Sequence, residues 1–203
     1  MLIAAGNSSR LGFAKQLVQL KQQSLLKRAA GFCQQLSQNS VCVLGYNAEI
    51  MAKELSSSEL PWVLNSNWEQ GMGSSIAHGV NSLTSSAKDS AQLDGIMILL
   101  CDQWALELAD LKHLVECWQQ SPEKIHACEY QDHKSPSQIK LQGAPAIFPR
   151  TFFEPLKQLK KTGARAILQQ NQKQLQSHYM PNATFDLDTQ QDFDYFKQHQ
   201  SGI

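Results

Sequence analysis

The sequence predicts an α/β fold in three layers, with a mostly parallel β-sheet and helices on both of its faces. Short apolar runs alternate with longer segments whose apolar residues recur at helical spacing, and the alternation continues through most of the 203 residues. Two runs, 41–44 and 96–101, are apolar throughout, which is typical of strands covered on both faces. A chain of this length is predicted to form one domain over residues 1–203.

The individual elements follow from the spacing of the apolar residues. The predicted strands are residues 2–5, 41–44, 62–64, 95–101, 125–130 and 146–148. The predicted helices are residues 24–38, 48–55, 74–83, 108–118, 151–159 and 164–170, with a last helix after Thr189. Thr189 and Asp192 have the spacing of a capping box, which is typical of a helix start. The polar segments 87–92 and 131–142 are predicted to be connections on the surface.

The composition argues against several classes of function. Equal numbers of basic and acidic residues, 18 of each, give a formal net charge of zero, so no basic field favours nucleic acid or a membrane surface. The longest apolar runs are too short to cross a bilayer, and no signal peptide is recognisable. Five cysteines without paired spacing are typical of reduced core thiols, so we expect a cytoplasmic protein without a structural zinc site.

The loop after the first predicted strand is the first candidate site. Residues 1–15 pass from an apolar strand into small and polar residues that include Gly6 and Gly12, and then present Arg10 and Lys15. Glycine lets the backbone approach an anion closely, and the two cations suit phosphates, so the loop predicts a nucleotide-triphosphate site. Its glycine spacing excludes both the P-loop and the dinucleotide fingerprint. An ordinary strand–turn–helix connection is the alternative.

Three carboxylates form the second candidate site. Asp102 ends the most apolar strand, where a charge is costly unless it binds a metal, pairs with a cation or faces solvent. Mg²⁺ takes one or two carboxylates together with substrate phosphates, so Asp102 is a candidate ligand, and either Asp186 or Asp188 could supply the second. Capping of a turn or helix is the alternative for these residues. Ligands of open α/β sheets bind beyond the carboxyl ends of strands, so the Gly6 loop and Asp102 are expected to face one crevice.

A third stretch, residues 65–75, follows the third predicted strand and ends in two serines that could cap a helix. Helix N-termini bind polar ligand groups through free N–H donors, whereas the alternative is a well-capped turn with Trp68 in the core. Residues 143–145 and 163–165 indicate by themselves only a turn and a helix start with a cation.

Together these stretches resemble the MobA-like nucleotidyltransferase family, and within it most closely the molybdenum cofactor cytidylyltransferases. The matching pieces, in chain order, are Ala4-Ala5-Gly6-x-Ser8-x-Arg10-Leu11-Gly12-x-x-Lys15, Asn65-x-x-Trp68-x-x-Gly71-Met72-x-x-Ser75, Cys101-Asp102-Gln103, Gly143-Ala144-Pro145-Ala146-x-Phe148-Pro149-Arg150, Gly163-Ala164-Arg165 and Asp186-Leu187-Asp188-Thr189. The resemblance implies a nucleotide-binding domain of the glycosyltransferase-A type. It also implies Mg²⁺-dependent transfer of CMP from CTP to the phosphate of molybdopterin, with release of pyrophosphate, and makes a molybdenum hydroxylase-type enzyme a candidate partner.

The resemblance also implies roles for the matched residues. The catalytic candidates are Lys15, Arg10 and Asp102, and the metal-ligand candidates are Asp102, Asp186 and Asp188. The nucleotide-binding candidates are Ala4, Ala5, Gly6, Ser8, Arg10, Lys15, Asn65, Gly71 and Ser75. The acceptor-binding candidates are Gly143, Pro145 and Arg165. The expected reaction is in-line attack by the acceptor phosphate on the α-phosphorus of CTP, in which the protein positions the reactants and neutralises charge.

Two other functions stay open at this point. One is a nucleotidyltransferase for another phosphorylated acceptor, such as a sugar phosphate or a small acid. The other is a non-catalytic delivery protein that binds nucleotide or cofactor for a molybdenum enzyme, because a fold does not fix a function. Analysis of the product separates the first of these from the molybdopterin reaction, and release of pyrophosphate separates the second.

The Ala4-Ala5-Gly6 sequence predicts that CTP is preferred to GTP, because the guanylyl branch of the family usually has glycine at the position of Ala5. The measurement is pyrophosphate release with each nucleotide at equal concentration, with an acceptor-free reaction as the control. Equal or faster turnover with GTP would contradict the prediction.

Overall fold

The computed structural model describes residues 1–85, 93–131 and 140–200. The predicted surface connection at 87–92 therefore lies outside the described residues, as does most of the predicted connection at 131–142.

The described strands reproduce the predicted sheet and add to it. They are β1 (Leu2–Ala4), β2 (Gln19–Leu20), β3 (Gln23–Ser24), β4 (Cys42–Leu44), β5 (Trp62–Leu64), β6 (Gly95–Leu100), β7 (Ile125–Gln131), β8 (Lys140–Pro149) and β9 (Leu175–Tyr179). Seven of them form one sheet in the order β5-β4-β1-β6-β8-β7-β9. All neighbours in this sheet pair in parallel except β8, which is antiparallel to both β6 and β7. The strands β2 and β3 form a separate hairpin.

Helices cover both faces of the sheet. They are α1 (Leu25–Leu36), α2 (Ala48–Glu54), α3 (Met72–Ser85), α4 (Leu108–Gln120), α5 (Phe153–Lys157), α6 (Arg165–Gln170) and α7 (Gln190–His199). Side chains of β1 alternate between the faces: Leu2 packs with α1, α2 and α4, whereas Ile3 packs with α3, α5 and α6. The predicted three-layer α/β fold is confirmed.

The C-terminal half departs most from the prediction. The strand predicted at 146–148 is the end of β8, which begins at Lys140 inside the predicted polar connection. Strand β9 was not predicted, because Gln176, Ser177 and His178 make it largely polar. The β2–β3 hairpin was also missed, since Lys21 and Gln22 turn the chain at positive φ where Gly or Asn is the usual signal.

Most other boundaries lie within two residues of the prediction, and the helix predicted from the serine pair begins at Met72 instead. The predicted capping box of Thr189 and Asp192 is present at the start of α7. Within the described ranges, no helix combines the length and apolar character that crossing a membrane requires.

Candidate active site

The candidate site lies where β1 and β6 end. These two strands are parallel neighbours, with Leu2 opposite Leu99 and Ile3 opposite Leu100. Both strands therefore end at the same edge of the sheet. Strand β1 continues into the loop of residues 5–14, and β6 continues into Asp102. This is the edge at which open α/β sheets bind their ligands.

Lys15 joins the two sides of this edge. Its Nζ lies 2.5 Å from Oδ2 of Asp102 and 2.7 Å from Oδ1 of Asp188. The other oxygen of Asp188, Oδ2, lies 2.8 Å from Nη2 of Arg10. The side chains of Lys15 and Asp102 are 14% and 13% exposed, so their contact is largely shielded from water. The loop and Asp102, predicted to face one crevice, are thus in direct contact.

The environment of Lys15 keeps it charged. Burial alone lowers the pKa of Lys15, because loss of water disfavours the ammonium form. The nearby charges of Asp102 and Asp188 outweigh burial, and the net effect raises the pKa of Lys15 above its ordinary value. Lys15 therefore acts as a fixed positive charge and not as a base.

One carboxylate oxygen of Asp102 is available to a metal ion. Its Oδ1 is buried and has no hydrogen-bond partner in the structure, a costly state for a carboxylate oxygen. Asp102 and Asp188 face a common cation, which is presently the ammonium group of Lys15. No group of three or more His, Cys, Asp or Glu residues converges on one point in the described ranges. Two carboxylates completed by phosphate oxygens and water match the needs of Mg²⁺, so the residues present fit this ion.

Asp188 is brought to Asp102 by backbone pairing. The Trp104 N–H donates to the Phe185 carbonyl at 3.2 Å, and the Leu187 N–H donates to the Asp102 carbonyl at 3.2 Å. Beyond this short antiparallel pairing, Oδ2 of Asp192 accepts from the N–H of Asp188 at 3.1 Å. The helix cap predicted from sequence therefore also fixes the main chain of Asp188.

Asp186 lies toward a different group of side chains. Burial raises the pKa of the Tyr130 hydroxyl, and the negative charge of Asp186 raises it further. The positive charge of Arg165 opposes this effect and lowers the pKa of Tyr130. Of the two aspartates between which the sequence did not decide, Asp188 is the one that shares Lys15 with Asp102.

The turn at residues 65–75 is held by Asn65. Its buried Nδ2 donates to Oγ of Ser74 at 2.9 Å and to Oγ of Ser75 at 3.0 Å, while its Oδ1 accepts from the N–H of Asn67 at 3.0 Å. Gly71 has a φ of +114°, and a Cβ there would collide with the backbone carbonyl of Lys161. The turn thus packs directly on the segment that leads to Arg165.

A cavity of about 290 Å³ lies beside this turn and the end of β6. Apolar side chains of α3, β6, β8 and α6 form most of its wall, among them Ile76, Ile98 and Phe148. Gly143 and Tyr130 line it too, and Arg165 adds a cation.

The strand β8 is bulged next to this cavity. Ala127 lies opposite Ala146, whereas the next residue, Cys128, lies opposite Gly143, so Ala144 and Pro145 are extra residues on β8. Nε2 of Gln103 donates to the carbonyl of Ala144 at 2.7 Å, which ties the bulge to the residue after Asp102.

The predicted site residues therefore form three groups. Arg10, Lys15, Asp102 and Asp188 meet in one cluster, Asn65, Gly71 and Ser75 build the neighbouring turn, and Gly143 and Arg165 line the cavity. Three of the remaining candidates are buried: Ala4 and Ala5 under the loop, and Pro145 within β8.

Sequence reasoning passed over Tyr130, at the cavity, and Gln16, beneath the loop. The sequence carries no signal for them, because their position depends on contacts with distant segments.

A mostly parallel α/β sheet with a cluster of opposite charges at its carboxyl edge suits a domain that binds a charged ligand. The family model of the MobA-like NTP transferase domain matches residues 1–175. The chain belongs to this family, as the sequence motifs predicted. No curated protein sequence matches the chain.

Solved structures share the fold over nearly the whole chain. Rv0371c from Mycobacterium tuberculosis H37Rv has a TM-score of 0.73 at 21% identity, covering 97% of this chain and 96% of its own. Its complex with manganese has a TM-score of 0.71 at 19% identity, with the same coverage.

Two further structures are similar at lower identity. A CMP:2-keto-3-deoxy-manno-octonic acid synthetase in complex with CTP has a TM-score of 0.72 at 9% identity, covering 99% of this chain and 97% of its own. Molybdopterin-guanine dinucleotide biosynthesis protein A from Archaeoglobus fulgidus has a TM-score of 0.61 at 14% identity, covering 100% and 98%. At such identities these similarities establish the fold alone.

Replacing Lys15 by Ala is expected to lower turnover by at least about a hundredfold while the protein stays folded, because one preorganised charge in a closed site typically contributes about 3 kcal/mol or more. The measurement is kcat for pyrophosphate release, with circular dichroism to verify folding. Lys53→Ala, at an exposed lysine of α2, is the matched control. Near-normal turnover in folded Lys15→Ala would show that Lys15 is not catalytic.

Replacing Asp102 by Asn is expected to abolish metal-dependent turnover, because the amide keeps the shape of the side chain but lacks the charge that holds a hard cation. Binding of Mn²⁺ and activation by Mg²⁺ are measured on the folded variant, with Asp94→Asn at an exposed aspartate as the control. An unchanged Mg²⁺ requirement with full activity would assign Asp102 to turn capping, where Asn serves as well as Asp.

Proposed function

We propose that this protein is a Mg²⁺-dependent cytidylyltransferase that transfers CMP from CTP to the phosphate of molybdopterin and releases pyrophosphate. The observation that carries the proposal is the shielded cluster in which Lys15 lies between Asp102 and Asp188, with one oxygen of Asp102 left over. Fixed charges of both signs beside a glycine-containing loop are what the transfer of a nucleotidyl group requires.

The triphosphate of CTP would bind at the loop of residues 4–15. Gly6 leaves open space where a side chain would otherwise stand, so a phosphate can approach the backbone. Lys15 supplies a point charge, and Arg10, whose side chain is 69% exposed, supplies a planar fork from the outer side. Ala4, Ala5 and Ser8 shape the loop, the two alanines from beneath it.

Asp102 and Asp188, which share Lys15, would hold Mg²⁺, and Asp186 is the other candidate ligand. When bound, the ion neutralises charge on the phosphate oxygens as the transition state forms. Both carboxylates already bind one cation, so this chain's own contribution is to keep two negative charges fixed near the phosphates.

The turn at residues 65–75 would bind the cytosine and ribose. Asn65 holds Ser74 and Ser75 in place, and Gly71 allows the turn to approach the segment 160–162. In this arrangement Asn65 and Ser75 act chiefly by fixing the turn, because the buried amide of Asn65 already has partners at both ends.

The cavity beside β6 would receive the acceptor. Its mostly apolar wall suits the flat faces of a ring system such as a pterin. Gly143 and Arg165 belong to the wall, and Pro145 supports it from within β8.

The reaction needs no nucleophilic side chain. An oxygen of the acceptor phosphate attacks the α-phosphorus of CTP in line, the new P–O bond forms, and the bond to the β-phosphate oxygen breaks as pyrophosphate leaves. Lys15, kept positive by its surroundings, faces the charge that develops on the phosphates. The work of the protein is therefore positioning and charge neutralisation.

Four further observations support parts of the proposal. A protein of the same fold was solved with CTP, and another is named for molybdopterin-guanine dinucleotide biosynthesis. A third was solved with manganese, an ion that prefers the same oxygen ligands as magnesium. The five cysteines are free thiols, which suits a cytoplasmic location, and a molybdenum hydroxylase-type enzyme would receive the product.

The function is tested by incubating the protein with CTP, Mg²⁺ and molybdopterin, and analysing the product by mass spectrometry. The expected product is molybdopterin carrying one cytidylyl group, with one pyrophosphate released for each product formed. A sugar phosphate in place of molybdopterin is the matched control. If a product forms with the sugar phosphate but not with molybdopterin, the acceptor is a different one. If the protein binds CTP or molybdopterin but releases no pyrophosphate, it is a delivery protein.

A further inference from the structure

Gln16 follows Lys15 but points in the opposite sense, into the protein. Gln16 is 1% exposed, which is unusual for a glutamine. Its Nε2 donates to the carbonyl of Gly6 at 2.7 Å and to the carbonyl of Ala4 at 3.3 Å. One buried amide group therefore binds the last residue of β1 and the first glycine of the loop.

Two other carbonyl groups, those of Ala5 and Ser8, also accept hydrogen bonds from backbone N–H groups. The carbonyl of Ala5 accepts from the N–H of Tyr46 at 3.1 Å. The carbonyl of Ser8 accepts from the N–H groups of Leu11 and Gly12, each at 3.0 Å. Four of the five carbonyls of residues 4 to 8 thus accept hydrogen bonds, and two of the four accept them from Gln16.

The direction of these carbonyls decides what an anion meets at the loop. A carbonyl oxygen carries partial negative charge and repels a phosphate, whereas the N–H groups of a loop whose carbonyls are turned inward attract it. Holding the carbonyls of Ala4 and Gly6 toward the interior is therefore a requirement for binding phosphate at this loop.

The same amide is connected to the residue that starts the turn. Oγ of Ser8 donates to Oε1 of Gln16 at 3.5 Å and accepts from the N–H of Lys15 at 3.3 Å. Ser8 also has a positive φ of 52°, which is uncommon for a residue other than glycine. Gln16 thus helps to hold both the strained turn and the backbone from which Lys15 extends toward Asp102.

We propose that Gln16 is a positioning residue for the nucleotide triphosphate. It favours triphosphate binding by holding the loop carbonyls away from the phosphates. It does not touch the nucleotide, and it acts through the backbone of Ala4, Gly6 and Ser8. The proposal rests on the proposed function, because it requires that the loop bind phosphates.

Two substitutions separate the chemistry of Gln16 from its size. Gln16→Met keeps a long unbranched side chain and removes both donors and the acceptor. Gln16→Glu keeps the shape but places carboxylate oxygens against the carbonyls of Ala4 and Gly6. The matched control is Gln19→Met, at an exposed glutamine whose amide donates only to the nearby carbonyl of Leu17.

The experiment measures dissociation constants for cytidine, CMP and CTP by titration calorimetry, with wild-type protein and each variant. Loss of a buried amide network typically weakens a site by about tenfold or more, so Gln16→Met is expected to weaken CTP binding at least tenfold. Cytidine binding is expected to change less than twofold, because the base and ribose bind at the turn of residues 65–75. Gln16→Glu should weaken CTP binding more than Gln16→Met does. Gln19→Met should leave all three dissociation constants unchanged.

Other outcomes overturn the proposal. If Gln16 had only a structural role, its substitution would lower the melting temperature without changing CTP binding, or would weaken the binding of cytidine and of CTP by the same factor. Failure of both variants to fold would make Gln16 a folding residue and overturn the proposal equally.

The wild-type titration separates this proposal from the proposed function. If wild-type protein binds neither CTP nor GTP, the proposed function fails first. If it binds GTP alone, the cytidylyl specificity fails, and the series guanosine, GMP and GTP decides the role of Gln16.

Discussion

The ammonium group of Lys15, held between Asp102 and Asp188, is the interaction on which the rest of the site depends. Each partner comes from a different part of the chain, and Asp188 is 173 positions away from Lys15. Two carboxylates brought this close repel each other unless a cation lies between them. The structure therefore contains a built place for positive charge, and the proposed nucleotide site is arranged around it.

Aromatic packing keeps the distant partner in place. Trp104, two residues after Asp102, is buried, and its ring centroid lies 5.6 Å from that of Phe185 and 5.1 Å from that of Phe196. These contacts fasten α7 and the segment before it to the end of β6. The geometry of the charged cluster thus rests on apolar contacts outside it, which do not weaken with salt as exposed ion pairs do.

The sequence predicted the sheet, its parallel strands and the charged loop, because apolar periodicity and glycine placement are local signals. Strand β9 escaped prediction since its polar residues pair with β7 by backbone hydrogen bonds, which any residue type can make. The sequence left open which aspartate joins Asp102, because the answer depends on how residues 185–187 pair with residues 102–104. The position of Gln16 beneath the loop could not be predicted for the same reason, because burial of an amide depends on tertiary contacts.

The late position of Asp188 has a consequence for the synthesis of the protein. The loop that carries Arg10 and Lys15 leaves the ribosome before Asp188, and so does every described strand of the sheet. Domains generally fold as units during synthesis, at about 5–20 residues per second, so the sheet can assemble before its second carboxylate exists. A product terminated after β9 would keep the strands and the loop, yet present Lys15 to Asp102 alone. The charged cluster is therefore complete only after Asp188 has been synthesised.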